Sequence, residues 1–321
     1  MRPPVASVVI PTFQAGPGFE DLLGRLFSQK TEFGYEVLVV DSGSTDGTPE
    51  LAARHGASVR RISPGEFDHG ATRNLGASLS TGRFVAFLVQ DALPVDDHWL
   101  AAMVTSLDAD ESVAGVYGRQ IPHPDSSPLT RALMRDWPTS SQERREQFAG
   151  GPQAYRALPP ATRRSLAGFD DVSSCVRRSV WERIPFERTR FGEDLRWGKA
   201  AVEAGHKLVY EPRSAVLHSH ERGALYDLKR HYVDALILHE LFGLTPTPNI
   251  PRFLLNTLLT CAHLARSLQE EKTPSFPRVL LPALEYALCS QTGAYLAARR
   301  TREHTPSRIS TRIHTFLLEG I

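Results

Sequence analysis

Cysteine is scarce. The chain of 321 residues holds three, at positions 175, 261 and 289, far apart and without the paired spacing of a zinc site. An odd, sparse set excludes a disulfide framework and points to reduced thiols in a cytosolic chain. Charge of one sign is also lacking. Against 37 Lys and Arg stand 36 Asp and Glu, for a formal net charge of +1, so the balance calls for neither nucleic acid nor an acidic partner. No run of about twenty uncharged apolar residues occurs, which excludes a transmembrane helix. The longest candidate, residues 253–264, is short and is interrupted by Asn256 and His263. Met1 to Pro4 lead straight into a strand, and no signal peptide is expected. No Gly-x-Gly-x-x-Gly follows that strand, which disfavours a dinucleotide enzyme. No repeat of fixed period occurs. The remaining composition, 41% hydrophobic, suits one large α/β domain or a domain with an appendage.

What is present is an alternation. Residues 6–10, 35–40, 58–62, 84–89 and 113–117 are apolar, strand-forming runs. Between them, residues 19–29, 49–55, 72–79 and 96–107 carry helical spacing. The pattern predicts βαβ units and a mostly parallel sheet flanked by helices. From 122 to about 164, Pro, Ser and charges dominate, and a loop-rich, substrate-facing insertion is expected. Order resumes with a strand at 172–176, a helix at 194–204 and short strands at 207–210 and 215–217. Beyond Glu221 the chain reads as helices at 225–242, 251–268 and 279–298, followed by an arginine-rich tail expected to be partly disordered. The expected division is 1–222 (halves 1–120 and 121–222), then 223–321.

Several polar groups fall where a parallel sheet would have its carboxyl ends, the usual crevice for ligands. Pro11 and Thr12 end the first strand. Asp41 ends the second and is followed by a Ser/Gly/Thr loop. His69, Arg73 and Asn74 lie at the start of an otherwise apolar helix. The buried run Phe84-Val85-Ala86-Phe87-Leu88-Val89 meets Gln90 and Asp91. A single strand-end Asp is commonly a helix cap; a set of such groups in series is a better candidate for a site. Asp91 is a hard oxygen ligand suited to Mg²⁺ or Mn²⁺. Glu193 and Asp194 open an amphipathic helix, a position that the helix dipole favours for acids in any case. Trp197, one turn on, suits an apolar wall of a site or the core equally.

The blocks SVVIPTFQAG, EVLVVDSGSTDGT, FDHGATRNLGA, FVAFLVQDALP and RFGEDLRWGKAAVEAGHKLVYEPRSAVLHSH occur in this order across residues 6–220. Together they resemble the family 2 glycosyltransferases of the GT-A fold, a Rossmann-like α/β architecture. The HGATRN and QDA variants look most like bacterial rhamnosyltransferases that use dTDP-L-rhamnose in O-antigen synthesis. The resemblance implies an inverting transfer of a sugar to a glycan hydroxyl. Pro11, Thr12, Asp41 and Ser44 would surround the nucleoside, and His69, Arg73 and Asn74 would lie by the base and diphosphate. Asp91, flanked by Gln90, matches the last Asp of the family's Asp-x-Asp motif, whose first position is Val89 here. A divalent metal, Mn²⁺ or Mg²⁺, would take Asp91 with His218 or His220. Asp194 would be the general base, with Glu193 and Trp197 on the acceptor side.

The partners so implied are a nucleotide-sugar donor and a glycan acceptor, lipid-linked in the family-based reading, with no nucleic acid. UDP- and GDP-sugars are the alternative donors. A nucleotidyltransferase is disfavoured because no Lys or Arg follows the first strand until Arg25, and a non-catalytic nucleotide-sugar-binding module is the remaining class. The C-terminal helices could pack on the catalytic domain, form a homodimer interface or lie on a membrane. The basic tail suggests weak peripheral attraction of a cytoplasmic protein to the inner face of the cell membrane.

Overall fold

Apolar runs set the sheet. The computed structural model describes residues 3–270, 276–303, 305 and 307–320. Its first four strands, β1 (Ala6–Thr12), β2 (Tyr35–Asp41), β3 (Ser58–Arg61) and β4 (Phe84–Leu88), lie parallel in the order β3-β2-β1-β4. Helices α1 (Gly18–Phe27), α2 (Thr48–Arg54) and α3 (His69–Leu79) link them. Successive side chains of a strand point to opposite faces. Ala6, Val8 and Ile10 accordingly enter one core with Phe19, Leu22, Leu23 and Leu26 of α1. Val9 enters the other, with Ala77 of α3. Covered on both sides, β4 is apolar throughout, and β1 is apolar but for Ser7 and its terminal Thr12; full burial of each Leu of α1 contributes about 1.5–3 kcal/mol.

The second half of the sheet is mixed. It adds β5 (Leu93–Pro94), α4 (Trp99–Asp108), β6 (Val113–Ile121), α5 (Pro128–Arg135), β7 (Arg145–Gln147), α6 (Pro152–Ala157), α7 (Pro160–Leu166), β8 (Ser173–Arg177), α8 (Arg178–Trp181), α9 (Glu193–Glu203) and β9 (Lys207–Leu217). β8 runs antiparallel between β4 and β6, β9 lies parallel to β6, and β5 and β7 pair antiparallel with β9. Six strands thus share one direction, and β5, β7 and β8 oppose it. The two short strands expected at 207–210 and 215–217 are one strand. Its pairing with β6 jumps from Glu211 to Ala215, where Pro212 has no N–H to offer the ladder. The excursion is held by Glu211, fully buried, whose carboxylate takes Arg213 and the Ser106 hydroxyl.

The chain divides into two units: Met1–His123 with Trp137–His218, and Pro124–Asp136 with Ser219–Ile321. The second is helical, with α5, α10 (Ala224–Phe242), α11 (Ile250–Glu270), α12 (Phe276–Arg300) and α13 (Arg308–Leu318). Helix α5 lies in the stretch read as a substrate-facing insertion, but Ala132, Leu129 and Leu133 pack against Leu264 and Leu268 of α11. The α10 and α12 backbones approach closely at Gly293, where a Cβ would fall 2.2 Å from the Leu228 carbonyl oxygen. The tail expected to be partly disordered forms α13, capped by Ser307, which accepts from the Ser310 amide. Among the described residues no helix is long and apolar enough to cross a membrane.

Candidate active site

At the carboxyl ends of β1, β2 and β4 the loops are laced to one another. Asp41 is fully buried. Its carboxylate accepts from the Thr12 and Ser44 hydroxyls and from the Gly43 and Ser44 amides, at 2.6–3.1 Å. These are about as many bonds as a carboxylate accepts, so Asp41 and Thr12 act here as staples of the loop. The expectation set this carboxylate against a base or ribose; its bonds here go to Thr12 and to the loop itself. Ser44 Oγ in turn accepts from the Gln14 amide, and the Gln14 side chain exchanges bonds with Thr45. Gln14 holds a φ of 47°, a region costly for any residue but Gly and found where surrounding bonds enforce it. Gln90 clamps the Phe13 peptide on both sides, accepting from its N–H and donating to its carbonyl. Pro11 lies one residue before Thr12 on β1, while the Phe13 ring is left 51% exposed.

Asp91 is placed by the short strand that follows it. β5 pairs Leu93 with Leu217 of β9, so the residues before Leu93 meet those after Leu217. His218 Nε2 comes within 3.8 Å of Asp91 Oδ1. His220 follows two residues on, and the ligand atoms of Asp91, His218 and His220 all lie within 4.8 Å of one another. One hard oxygen and two imidazoles form a donor set able to hold a divalent ion.

The HGATRN stretch does something other than what its sequence suggested. Asp68 caps α3 by accepting from the Ala71 amide. A Cβ on Gly70 would stand 2.0 Å from the Glu187 carbonyl oxygen. The Asn74 side chain donates to the Phe186 carbonyl and accepts from the Phe186 amide and Trp181 Nε1. Arg73 is 4% exposed. Its Nη1 meets Glu193 Oε1 at 3.1 Å, and its Nε lies 2.8 Å from Asp171 Oδ2. That second contact is ionic without being a hydrogen bond, since neither atom has a hydrogen-bond partner. Arg73 and Asn74, expected beside the diphosphate, are thus spent on docking α3 against the chain leading into α9. His69 stays half exposed, with Nδ1 3.8 Å from Glu193 Oε1.

The electrostatics of this buried cluster have a plain cause. Burial works against the charge of Arg73, but Asp171, then Glu193, Asp194 and Asp170, outweigh it and raise its pKa. Asp171 is pushed well up, first by burial and then by its acidic neighbours, against the pull of Arg73. Asp194 occupies the first turn of α9 after Gly192, within electrostatic reach of Arg73. Its Oδ1 accepts from the Leu195 amide at 2.6 Å. Trp197 is a core residue, not a sugar-facing wall. It is 1% exposed, stacks on Phe186, packs on Phe169 and donates from Nε1 to the Ile184 carbonyl. Sequence reading passed over Gln14, Gln120, Asp170 and Asp171. The adjacent acids in Phe169-Asp170-Asp171 were the one signal.

A mixed sheet of this strand order, flanked by helices, is the GT-A fold. The family model described as Glycosyl transferase family 2 matches residues 7–166, and the chain belongs to that family. It is 31% identical over 240 residues to the O-antigen chain rhamnosyltransferase WbaN of Salmonella anatum, covering 74% of this chain and 72% of that protein. It is 30% identical to the N-acetylglucosaminyl-diphospho-decaprenol L-rhamnosyltransferase of Mycobacterium tuberculosis, with 67% and 76% covered. Among solved structures, the mannosyltransferase of Pyrobaculum calidifontis in complex with GDP-Man and Mn²⁺ superposes with a TM-score of 0.53 at 19% identity. That match covers 99% of this chain and 81% of the other.

Proposed function

We propose that this glycosyltransferase moves L-rhamnose from dTDP-L-rhamnose to a hydroxyl of a lipid-linked glycan in the synthesis of a cell-surface polysaccharide. The observation that carries the donor assignment is the likeness to WbaN over most of both chains. The mycobacterial relative, named for a diphospho-decaprenol acceptor, supports lipid linkage. The nucleoside would sit over the loops stapled by Thr12, Asp41 and Ser44, beside the end of β1 at Pro11. A divalent ion, Mn²⁺ being favoured by two imidazole ligands, would be held by Asp91, His218 and His220. When bound, it would offset charge growing on the leaving diphosphate.

Asp194 would take the proton of the acceptor hydroxyl as that oxygen attacks the anomeric carbon. The new C–O bond forms on the face opposite the breaking bond to diphosphate, so configuration inverts. Glu193, tied to Arg73, orients the first turn of α9 that carries Asp194. His69, half exposed beside Glu193, would face the donor diphosphate. Titration calorimetry with dTDP-L-rhamnose, UDP-sugars and GDP-sugars, with and without Mn²⁺, tests this reading. Metal-dependent binding of dTDP-L-rhamnose above the others is expected. Preference for a UDP- or GDP-sugar would overturn the donor, and binding indifferent to metal would overturn the ligand set.

For the acceptor side of the cell we propose peripheral contact with the inner face of an anionic membrane through α13. Ile309, Ile313 and Phe316 are exposed at helical spacing, and the exposed Arg308 and Arg312 border them. An apolar stripe flanked by arginine suits a headgroup boundary. The charge-reversed Arg308→Glu/Arg312→Glu protein should lose most co-sedimentation with vesicles rich in anionic lipid; unchanged sedimentation would sink the idea.

A further inference from the structure

Behind His218 lies a polar relay, buried at Gln120 and half-buried at Asp170, that the proposed reaction does not use. Gln120, on β6, is 2% exposed and His218 8%. Gln120 Nε2 donates to Asp170 Oδ2 at 2.8 Å. Asp170 Oδ1 accepts from the Val172 amide at 3.0 Å. A carboxylate offers only acceptor sites. It therefore draws the NH₂ end of the Gln120 amide and turns Oε1 toward His218 Nδ1, 3.0 Å away. An amide oxygen can only accept, so Nδ1 carries the proton. In a neutral ring the other nitrogen then carries no proton. That other nitrogen, Nε2, is the one 3.8 Å from Asp91 Oδ1.

We propose that Gln120, oriented by Asp170, is a positioning residue that locks His218 in the Nδ1–H tautomer and so presents Nε2 as a divalent-cation ligand before any ion arrives. The inference rests on the metal reading above. It assigns a role to two residues outside the ligand set, and all four groups lie in the first unit. An amide kept only to satisfy a buried imidazole could face it with either end. The Asp170 carboxylate removes that freedom, because reversing the amide would set its oxygen against an acceptor and its NH₂ against a protonated nitrogen. Outer partners of ligating imidazoles act in this way by fixing the ring and raising its basicity.

The test uses the full chain and two readouts. In the metal-free protein, ¹⁵N–¹H correlation spectra should show His218 protonated on Nδ1 and unprotonated at Nε2. In a Mn²⁺ titration followed by electron paramagnetic resonance, Gln120→Leu and Asp170→Asn should each bind about 10- to 100-fold more weakly. The Gln120→Glu/Asp170→Asn double variant should recover most of the affinity. In it the new carboxylate at 120 accepts from Nδ1–H and from the new amide at 170, so the acceptor facing His218 is kept while the bond to 170 is reversed. A merely structural amide would show no such rescue. Protonation of wild-type His218 on Nε2, or wild-type Mn²⁺ affinity in folded Gln120→Leu, would overturn the relay. Wild-type protein that binds no Mn²⁺ yet carries Nδ1–H would instead sink the metal reading, and with it the ligand role given to Nε2.

Discussion

Asp194→Asn is expected to lower turnover by about 10²- to 10⁴-fold, the contribution of a positioned general base, while donor affinity stays near that of the wild type. The substitution keeps the size and the hydrogen-bonding oxygen of the side chain. Its Oδ1 can still accept from the Leu195 amide, so the first turn of α9 keeps its internal bond. What disappears is the ability to take a proton from the acceptor hydroxyl. One negative charge also leaves the neighbourhood of Arg73, which lies in a field of several carboxylates; the cluster therefore gains rather than loses charge balance, and no fall in stability is expected. Single-turnover kinetics paired with donor titration separate the outcomes. A variant that loses donor binding along with turnover would show Asp194 to be a structural member of the cluster, and a variant that still turns over at the wild-type rate would move the proton acceptor elsewhere.

The parts of this site that were legible in the sequence are those whose signal is local. Strand ends could be read because a buried apolar run followed by a carboxylate is visible within about ten residues, as at Val40-Asp41 and Val89-Gln90-Asp91. His218 and His220 could be singled out because they close an apolar strand. The use each polar side chain makes of its position was not legible. Arg73 and Asn74 carry the chemistry of phosphate and base recognition, and nothing near them in the chain says otherwise. Their partners, Glu193 and Phe186, stand 120 and 112 residues away. A long-range partner of that kind turns a candidate ligand contact into a buckle between α3 and the entrance to α9. Trp197 follows the same logic, since Phe169 and Phe186 enclose it from separate loops. Gln120 is the converse case: a lone amide inside a strand carries no local sign of function, and its meaning comes from Asp170 and His218 together.

That buckle implies a second large effect. Arg73→Met is expected to destabilise the fold by about 3–5 kcal/mol at neutral pH, the usual result of removing one partner from a buried ion pair and leaving the other charge uncompensated. Met fills much the same volume, so a cavity does not account for the loss. The deficit should also depend on pH, and its direction follows from Asp171. The folded-state pKa of Asp171 already lies above the ordinary carboxylate value, which is about 3.9 in an unfolded chain. For such a group, stability is fully present below the unfolded value and is lost as pH rises through the folded one. Taking away the guanidinium, whose attraction opposes that rise, pushes that folded value higher still. The gap between variant and wild type should therefore be small near pH 4 and widen toward neutrality. Urea unfolding of both proteins at several pH values reads it directly. A deficit that stays constant with pH would mean that Arg73 contributes packing alone. A variant as stable as the wild type at neutral pH would mean that Asp171 and Glu193 find water or another cation in its place. If the variant folds at low pH, its turnover there relative to wild type reports how far the first turn of α9, and Asp194 on it, depends on being held from below.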